Sequence, residues 1–145
     1  MNTNRKDFVY SFDERDGVVD YIKGLMAEYA VFAFIGPLGA GKTTLIKSLL
    51  RECGVRGNVT SPTFTYMNEY VNEMGQKFYH FDLYRITNVQ EFQAQGFDEY
   101  LFQHNSWAFV EWPEIINPLL TKNVCFIACD YTHDADKRTV TIQCV

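Results

Sequence analysis

The chain has 145 residues, 47% of them hydrophobic and 16% aromatic, with a formal net charge of −5. That length suits one domain over residues 1–145, and the composition excludes an intrinsically disordered chain. The acidic balance, without a dense Lys/Arg block, argues against independent tight nucleic-acid binding. No apolar run nears the roughly 20 residues that span a bilayer, and "MNTNRKDF" lacks a secretory apolar segment, so a cytoplasmic setting is expected.

"FVYSF", residues 8–12, reads as a short strand. A helix follows over about 13–29, with Val18, Val19, Ile22, Leu25, Met26 and Tyr29 on one apolar face. The run Val31 to Ile35 is a strand, and it leads into "FIGPLGAGKTTLIKSLL". There Gly36, Gly41, Lys42 and Thr43 fit G-x-x-x-x-G-K-[ST] without a gap. Leu45, Ile46, Leu49 and Leu50 recur at helical spacing, so this P-loop motif sits between a strand and a helix N-terminus. Glycines let the backbone wrap a phosphate, while successive N–H groups and the helix dipole attract the anion. Lys42 is expected to reach the β/γ phosphates and the Thr43 hydroxyl to ligate Mg²⁺. The motif in this context predicts nucleotide binding.

"VTSPTF" is a loop, since Pro62 disfavours helix at Ser61. Its hydroxyls, Thr60, Ser61 and Thr63, lie where nucleotide switches sense a γ-phosphate, although an ordinary Ser-Pro turn fits as well. "FTYMNEYV" and "QKFYHFDLYRI", split by "NEMG", read as a hairpin. In the second strand His80, Asp82 and Tyr84 alternate with Phe81 and Leu83 and share one face. They form either a polar outer face or, with Arg85, a set that positions water or a partner. "NVQEFQAQGFDEYLFQ" reads as a helix broken at Gly96.

"SWAFVEW" is a buried strand ended by Pro113, and "PEIINPLL" is a short helical or irregular crossover. An apolar strand ending in an acid is the arrangement that supplies a second carboxylate to a P-loop site, and Glu111 is that acid. A solvated carboxylate at a strand end is the plainer alternative. Trp112 either stacks on a base or fills core. "NVCFIACDYT" and "KRTVTIQCV" close the chain as a second hairpin around "HDAD". His104 and His133 read as surface residues. The four cysteines, Cys53, Cys125, Cys129 and Cys144, form no C-x-x-C pair and are expected as free thiols. Together these elements predict an α/β fold: a three-layer P-loop NTPase domain with a mostly parallel central sheet and additional hairpins.

The order "GPLGAGKTT", "SPTF", "YHFDLYR", "GFDEYL", "VEWPE" resembles the TsaE (YjeE) family, from about Phe34 to Glu114. These are small bacterial ATPases required for threonylcarbamoyladenosine formation in tRNA. The resemblance implies ATP and Mg²⁺ as cofactors, bound by Gly36, Pro37, Leu38, Gly39, Ala40, Gly41, Lys42, Thr43 and Thr44. Trp112 and Glu114 match nucleotide-side positions. Thr43, Glu111 and Asp82 match the metal side, and Lys42, Asp82 and Glu111 the catalytic residues. Thr63 matches a switch-like segment; the match at Arg138 is weak. The resemblance further implies slow ATP hydrolysis alone, with TsaB and TsaD as partners and tRNA reached only through them.

Two other readings share the P-loop. A small-molecule or nucleotide kinase needs an acceptor pocket and usually an Arg-bearing lid, and no Arg-rich insertion is present. A nucleotide-gated binding module with little turnover differs in that its partner affinity, rather than its product, reports nucleotide state.

Overall fold

A computed structural model describes residues 5–57, 59 and 66–145. One seven-stranded sheet organises the fold, in the order β1-β7-β6-β2-β5-β4-β3. Its strands are β1 (Arg5–Ser11), β2 (Val31–Ile35), β3 (Met67–Val71), β4 (Lys77–Asp82), β5 (Ser106–Glu111), β6 (Val124–Tyr131) and β7 (Lys137–Cys144). Strands β6, β2, β5 and β4 run parallel to their neighbours in that group. The pairs β1–β7, β6–β7 and β3–β4 are antiparallel. Both hairpins read from the sequence are present, but as the flanks of this one sheet rather than as additions beside it. The parallel character is therefore confined to the four central strands.

The central strands are apolar on both faces because both are covered. On one face Phe32, Phe34 and Phe109 pack with Val18 and Ile22 of α1 (Asp16–Leu25) and with Leu45, Ile46 and Leu49 of α2 (Lys42–Glu52). On the other, Val31, Ala33 and Val110 pack with Phe92 of α3 (Val89–Ala94) and Ile116 of the 3-10 turn Pro113–Leu119. These clusters make the three layers. Helix α3 is capped by Asn88, whose side chain accepts the Glu91 N–H at 2.8 Å. It stops before Gly96, which takes φ +77 and starts a second 3-10 turn, Phe97–Tyr100.

The first helix is shorter than its apolar pattern. A 3-10 turn, Phe12–Glu14, precedes it, and Ser11 and Glu14 close a capping box on that turn. The cysteine expectation needs correction: Cys125 and Cys144, register partners on β6 and β7, form a disulfide. Alternation within β6 puts Cys125 on a buried face but carries no information on its cross-strand partner. Cys53 and Cys129 are free. Among the described residues no helix is long and apolar enough to cross a membrane.

Candidate functional site

The carboxyl ends of β2, β4 and β5 lie side by side, where open α/β sheets form their ligand crevices. From the end of β2 the chain turns through the glycine-rich loop into α2. Gly36 takes φ +146, and a Cβ there would lie 2.1 Å from the Cys129 carbonyl oxygen on β6. Only a glycine lets the loop leave the sheet this close to its neighbour strand. Gly39 and Gly41 also have positive φ, +79 and +104. The Ala40 N–H donates to the Pro37 carbonyl at 3.2 Å, and the Tyr131 hydroxyl donates to the Leu38 carbonyl, bracing the loop from β6. Helix α2 begins at Lys42 with no side-chain cap and no acid in its first turn. Its first N–H groups have no intrahelical acceptor, so this end is suited to an anion.

Facing α2 is the end of β5. Register pairs Phe34 with Glu111 and Asp82 with Glu111, which sets the two acids adjacent on the face that carries α2. Glu111 is only 3% exposed. The Thr43 hydroxyl contacts both of its oxygens, at 2.8 Å and 2.9 Å, and His80 Nε2 lies 2.7 Å from Oε2. Glu111 is therefore a buried, fully engaged carboxylate, and the solvated strand-end alternative is excluded. Asp82 is half-buried and accepts the Tyr84 N–H at 3.1 Å. Burial pushes its carboxyl above the ordinary range; the Tyr84 N–H opposes this and the charge of Glu111 adds to it.

Lys42 is buried, with its ammonium donating to the Gly36 carbonyl and lying 3.5 Å from the Trp112 ring centroid. Burial lowers its pKa, and the negative charge of Glu111 opposes that shift. Trp112 itself has left-handed backbone angles, φ 56 and ψ 56, uncommon for a bulky residue, and its ring meets Tyr84 edge-on at 5.0 Å. It is half-buried, packing against the core cluster of Ile116 and Val110 while its ring also meets the lysine.

Lys42, Thr43, Thr44, Asp82, Glu111 and Trp112 line one cavity of about 220 Å³ with Leu38, Gly39 and Gly41. A second cleft, about 320 Å³, opens on the other side of the loop between Thr44, Tyr10, Phe12, Arg15 and Arg138. Glu114 is exposed in the turn after Trp112, within electrostatic reach of Lys42. Arg138 lies over the Tyr131 ring and donates to the Ala135 and Lys137 carbonyls. Thr60, Ser61 and Thr63 lie outside the described residues.

Among the described residues no three His, Cys, Asp or Glu side chains converge to hold a metal alone. A Mg²⁺ site of the nucleotide type does not need them, because Mg²⁺ is ordinarily held by one or two carboxylates together with phosphates and waters. Thr43 and Glu111, with Asp82 beside them, are an all-oxygen donor set of that kind.

Residues 11–140 match the family model described as threonylcarbamoyl adenosine biosynthesis protein TsaE. The chain belongs to the TsaE family. The TsaE protein of Haemophilus influenzae is 40% identical over 112 residues, which cover 77% of this chain and 70% of that protein. The TsaE protein of Bacillus subtilis is 36% identical over 115 residues, covering 79% and 70% respectively. A crystal structure of Bacillus subtilis YdiB superposes with a TM-score of 0.74 at 27% identity, covering all of this chain and 88% of that one.

The motifs that carry the TsaE resemblance bring Lys42, Thr43, Asp82, Glu111 and Trp112 around one cavity. What the sequence does not disclose is that His80 is buried and bonded to Glu111. Its place two residues before Asp82 is the available signal. His104 and His133 are exposed, as their polar surroundings indicate. Tyr10, Phe12 and Arg15, on the wall of the second cleft, carry no motif that would single them out.

Proposed function

We propose that this TsaE-family chain is a Mg²⁺-dependent ATPase with a P-loop site, serving threonylcarbamoyladenosine formation in tRNA by supporting turnover of a TsaB–TsaD complex. The observation that supports it best is the shared cavity, in which the loop lysine, the helix-start threonine and two strand-end acids converge.

In this reading Lys42 leaves the Gly36 carbonyl and the Trp112 face to meet the terminal phosphates, and the α2 N–H groups hold the rest of the phosphate chain. Thr43 and Glu111 hold Mg²⁺, whose charge would offset that of the phosphates. Asp82 accepts a hydrogen bond from water and orients it towards the site, as water-positioning groups do in phosphoryl transfer. Trp112 and Glu114 border the nucleotide. ATP becomes ADP and inorganic phosphate, with water as acceptor. The second cleft, beside Thr44 and Gly41, has room for the nucleoside end of the ligand.

Reconstitution with TsaB, TsaD, tRNA and the threonylcarbamoyl donor tests the role. We expect ATP hydrolysis to be slow alone and faster in the mixture, with repeated rounds of tRNA modification only when this chain and ATP are both present. Equal modification without this chain would reject the proposal.

A further inference from the structure

We infer that His80 is a positioning residue for Glu111: through its Nε2 hydrogen bond it fixes the carboxylate that takes Mg²⁺. The inference rests on the proposed metal–nucleotide site and names a residue that supports it from behind.

His80 lies on β4 between Phe78 and Asp82 on one face, and β4 is paired on both sides, with β3 and β5. It is completely buried. A polar ring in such a strand position is costly unless it is hydrogen-bonded, and Leu or Phe would fill the space without that cost. Its one side-chain bond among the described residues is the 2.7 Å contact to Glu111 Oε2; Nδ1 is buried without a partner there. The histidine is thus not a core residue satisfied from several directions. All of its described polar contact goes to the carboxylate, and because a carboxylate only accepts, Nε2 donates.

The consequence falls on Glu111. Its two described side-chain partners are Thr43 and His80. In the proposed function Thr43 turns its oxygen to the cation, which leaves the imidazole as the contact that is not itself part of the metal shell. The imidazole engages Oε2 and leaves Oε1 without a histidine contact. Hydrogen-bond partners of this kind orient carboxylate ligands, and their loss typically lowers metal affinity about 10- to 100-fold.

Three forms of the full chain decide the question: wild type, His80→Leu, which removes the donor, and His80→Gln, which offers an amide N–H in its place. Calorimetry in EDTA gives ADP affinity without metal; electron paramagnetic resonance of Mn²⁺ in the presence of ADP gives metal affinity. We expect the three to bind ADP alike in EDTA. With Mn²⁺, His80→Leu should be at least about tenfold weaker than wild type, and His80→Gln within about threefold of it. Wild-type Mn²⁺ affinity in His80→Leu would overturn the inference, as would a His80→Gln variant that is folded but as weak as His80→Leu. If His80→Leu does not fold, His80→Gln decides alone: retained Mn²⁺ affinity supports the role and a loss refutes it. A wild type that binds no ADP would reject the proposed function, and this inference with it; a wild type that binds Mn²⁺ and ADP beside an unaffected His80→Leu rejects the inference only.

Discussion

The Lys42 ammonium lies 3.5 Å from the centroid of the Trp112 ring while donating to the Gly36 carbonyl. A cation desolvated in this way keeps its charge partly compensated by the ring and the carbonyl. In the proposed function both contacts are exchanged for phosphate oxygens when nucleotide binds. Lys42→Ala is therefore expected to weaken ATP binding about 10- to 100-fold, the range for losing a hydrogen bond to a charged group. Calorimetry measures it directly. In a Trp107→Phe background, nucleotide should also change Trp112 fluorescence, because the quenching environment of the indole changes when Lys42 departs.

Glu111→Gln and Asp82→Asn should behave differently from the lysine variant. Both residues belong to the metal and water side of the proposed site, so ADP should still bind in EDTA. Phosphate release should fall by roughly 100-fold or more, the ordinary loss for a group acting on the transferred proton or water. Steady-state assays on purified variants check this, and an Asp82→Asn enzyme with undiminished turnover would remove Asp82 from the mechanism.

Asp82 also gives a pH dependence of stability. Burial holds its carboxyl above the ordinary value of 3.8. The folded chain then keeps this proton to higher pH than the unfolded chain, so ionisation erodes stability as pH rises from about 3.8 through the folded-state value. Asp82→Asn carries no such penalty. Urea denaturation without metal or nucleotide should find the variant gaining on wild type across that window, with no ionisation-linked difference below it.

Gly36 and Gly24 provide opposite outcomes from the same substitution. A methyl group at Gly36 would meet the Cys129 carbonyl at 2.1 Å, in a backbone conformation that L-residues avoid. Gly36→Ala should cost about 3 kcal/mol or more, at the upper end of ordinary single-residue effects. Gly24 lies in α1, and a methyl group there would have nothing within 4 Å. Gly24→Ala should stabilise by about 0.5–1 kcal/mol through helix propensity. Thermal denaturation of the two variants separates the effects.

Local signals explain which parts of this architecture the sequence discloses. Val31–Ile35 is a strand over the span its apolar run indicates, and the helix of "NVQEFQAQGFDEYLFQ" breaks at Gly96 as its glycine predicts. Both depend on neighbouring residues alone. His80 is different, because alternation states that His80 and Asp82 share a face but not whether that face is covered. The contact that decides it is remote in sequence: Glu111 on β5 lies 31 positions from His80, and Glu111 in turn meets Thr43 of α2. The Thr43–Glu111 contact spans 68 positions and the Cys125–Cys144 pair 19, so neither has a local signature. The motif order supplies the cavity's principal residues; the second cleft, lined by Tyr10 and Arg15, has no motif to mark it.

Charge bears on the RNA side of the proposed role. Thirteen basic residues stand among 18 acids, and no dense basic block occurs. Six to ten phosphate contacts would demand a clustered basic face and give a steep salt dependence. The chain alone is therefore expected to bind tRNA weakly at physiological salt, with tight association only when TsaB and TsaD are present. Filter binding over a salt series checks this; tight, strongly salt-sensitive binding by the lone chain would contradict it.

The most direct measurement of the central claim, that the Lys42–Thr43–Asp82–Glu111 cavity is an ATP-hydrolysing site, follows the fate of γ-labelled ATP incubated with the protein and Mg²⁺. The account predicts that the label appears as inorganic phosphate, that EDTA stops its release, that Glu111→Gln suppresses it, and that TsaB and TsaD accelerate it. Label retained in ATP by the wild type even with both partners present, or transferred to an acceptor other than water, would contradict the account.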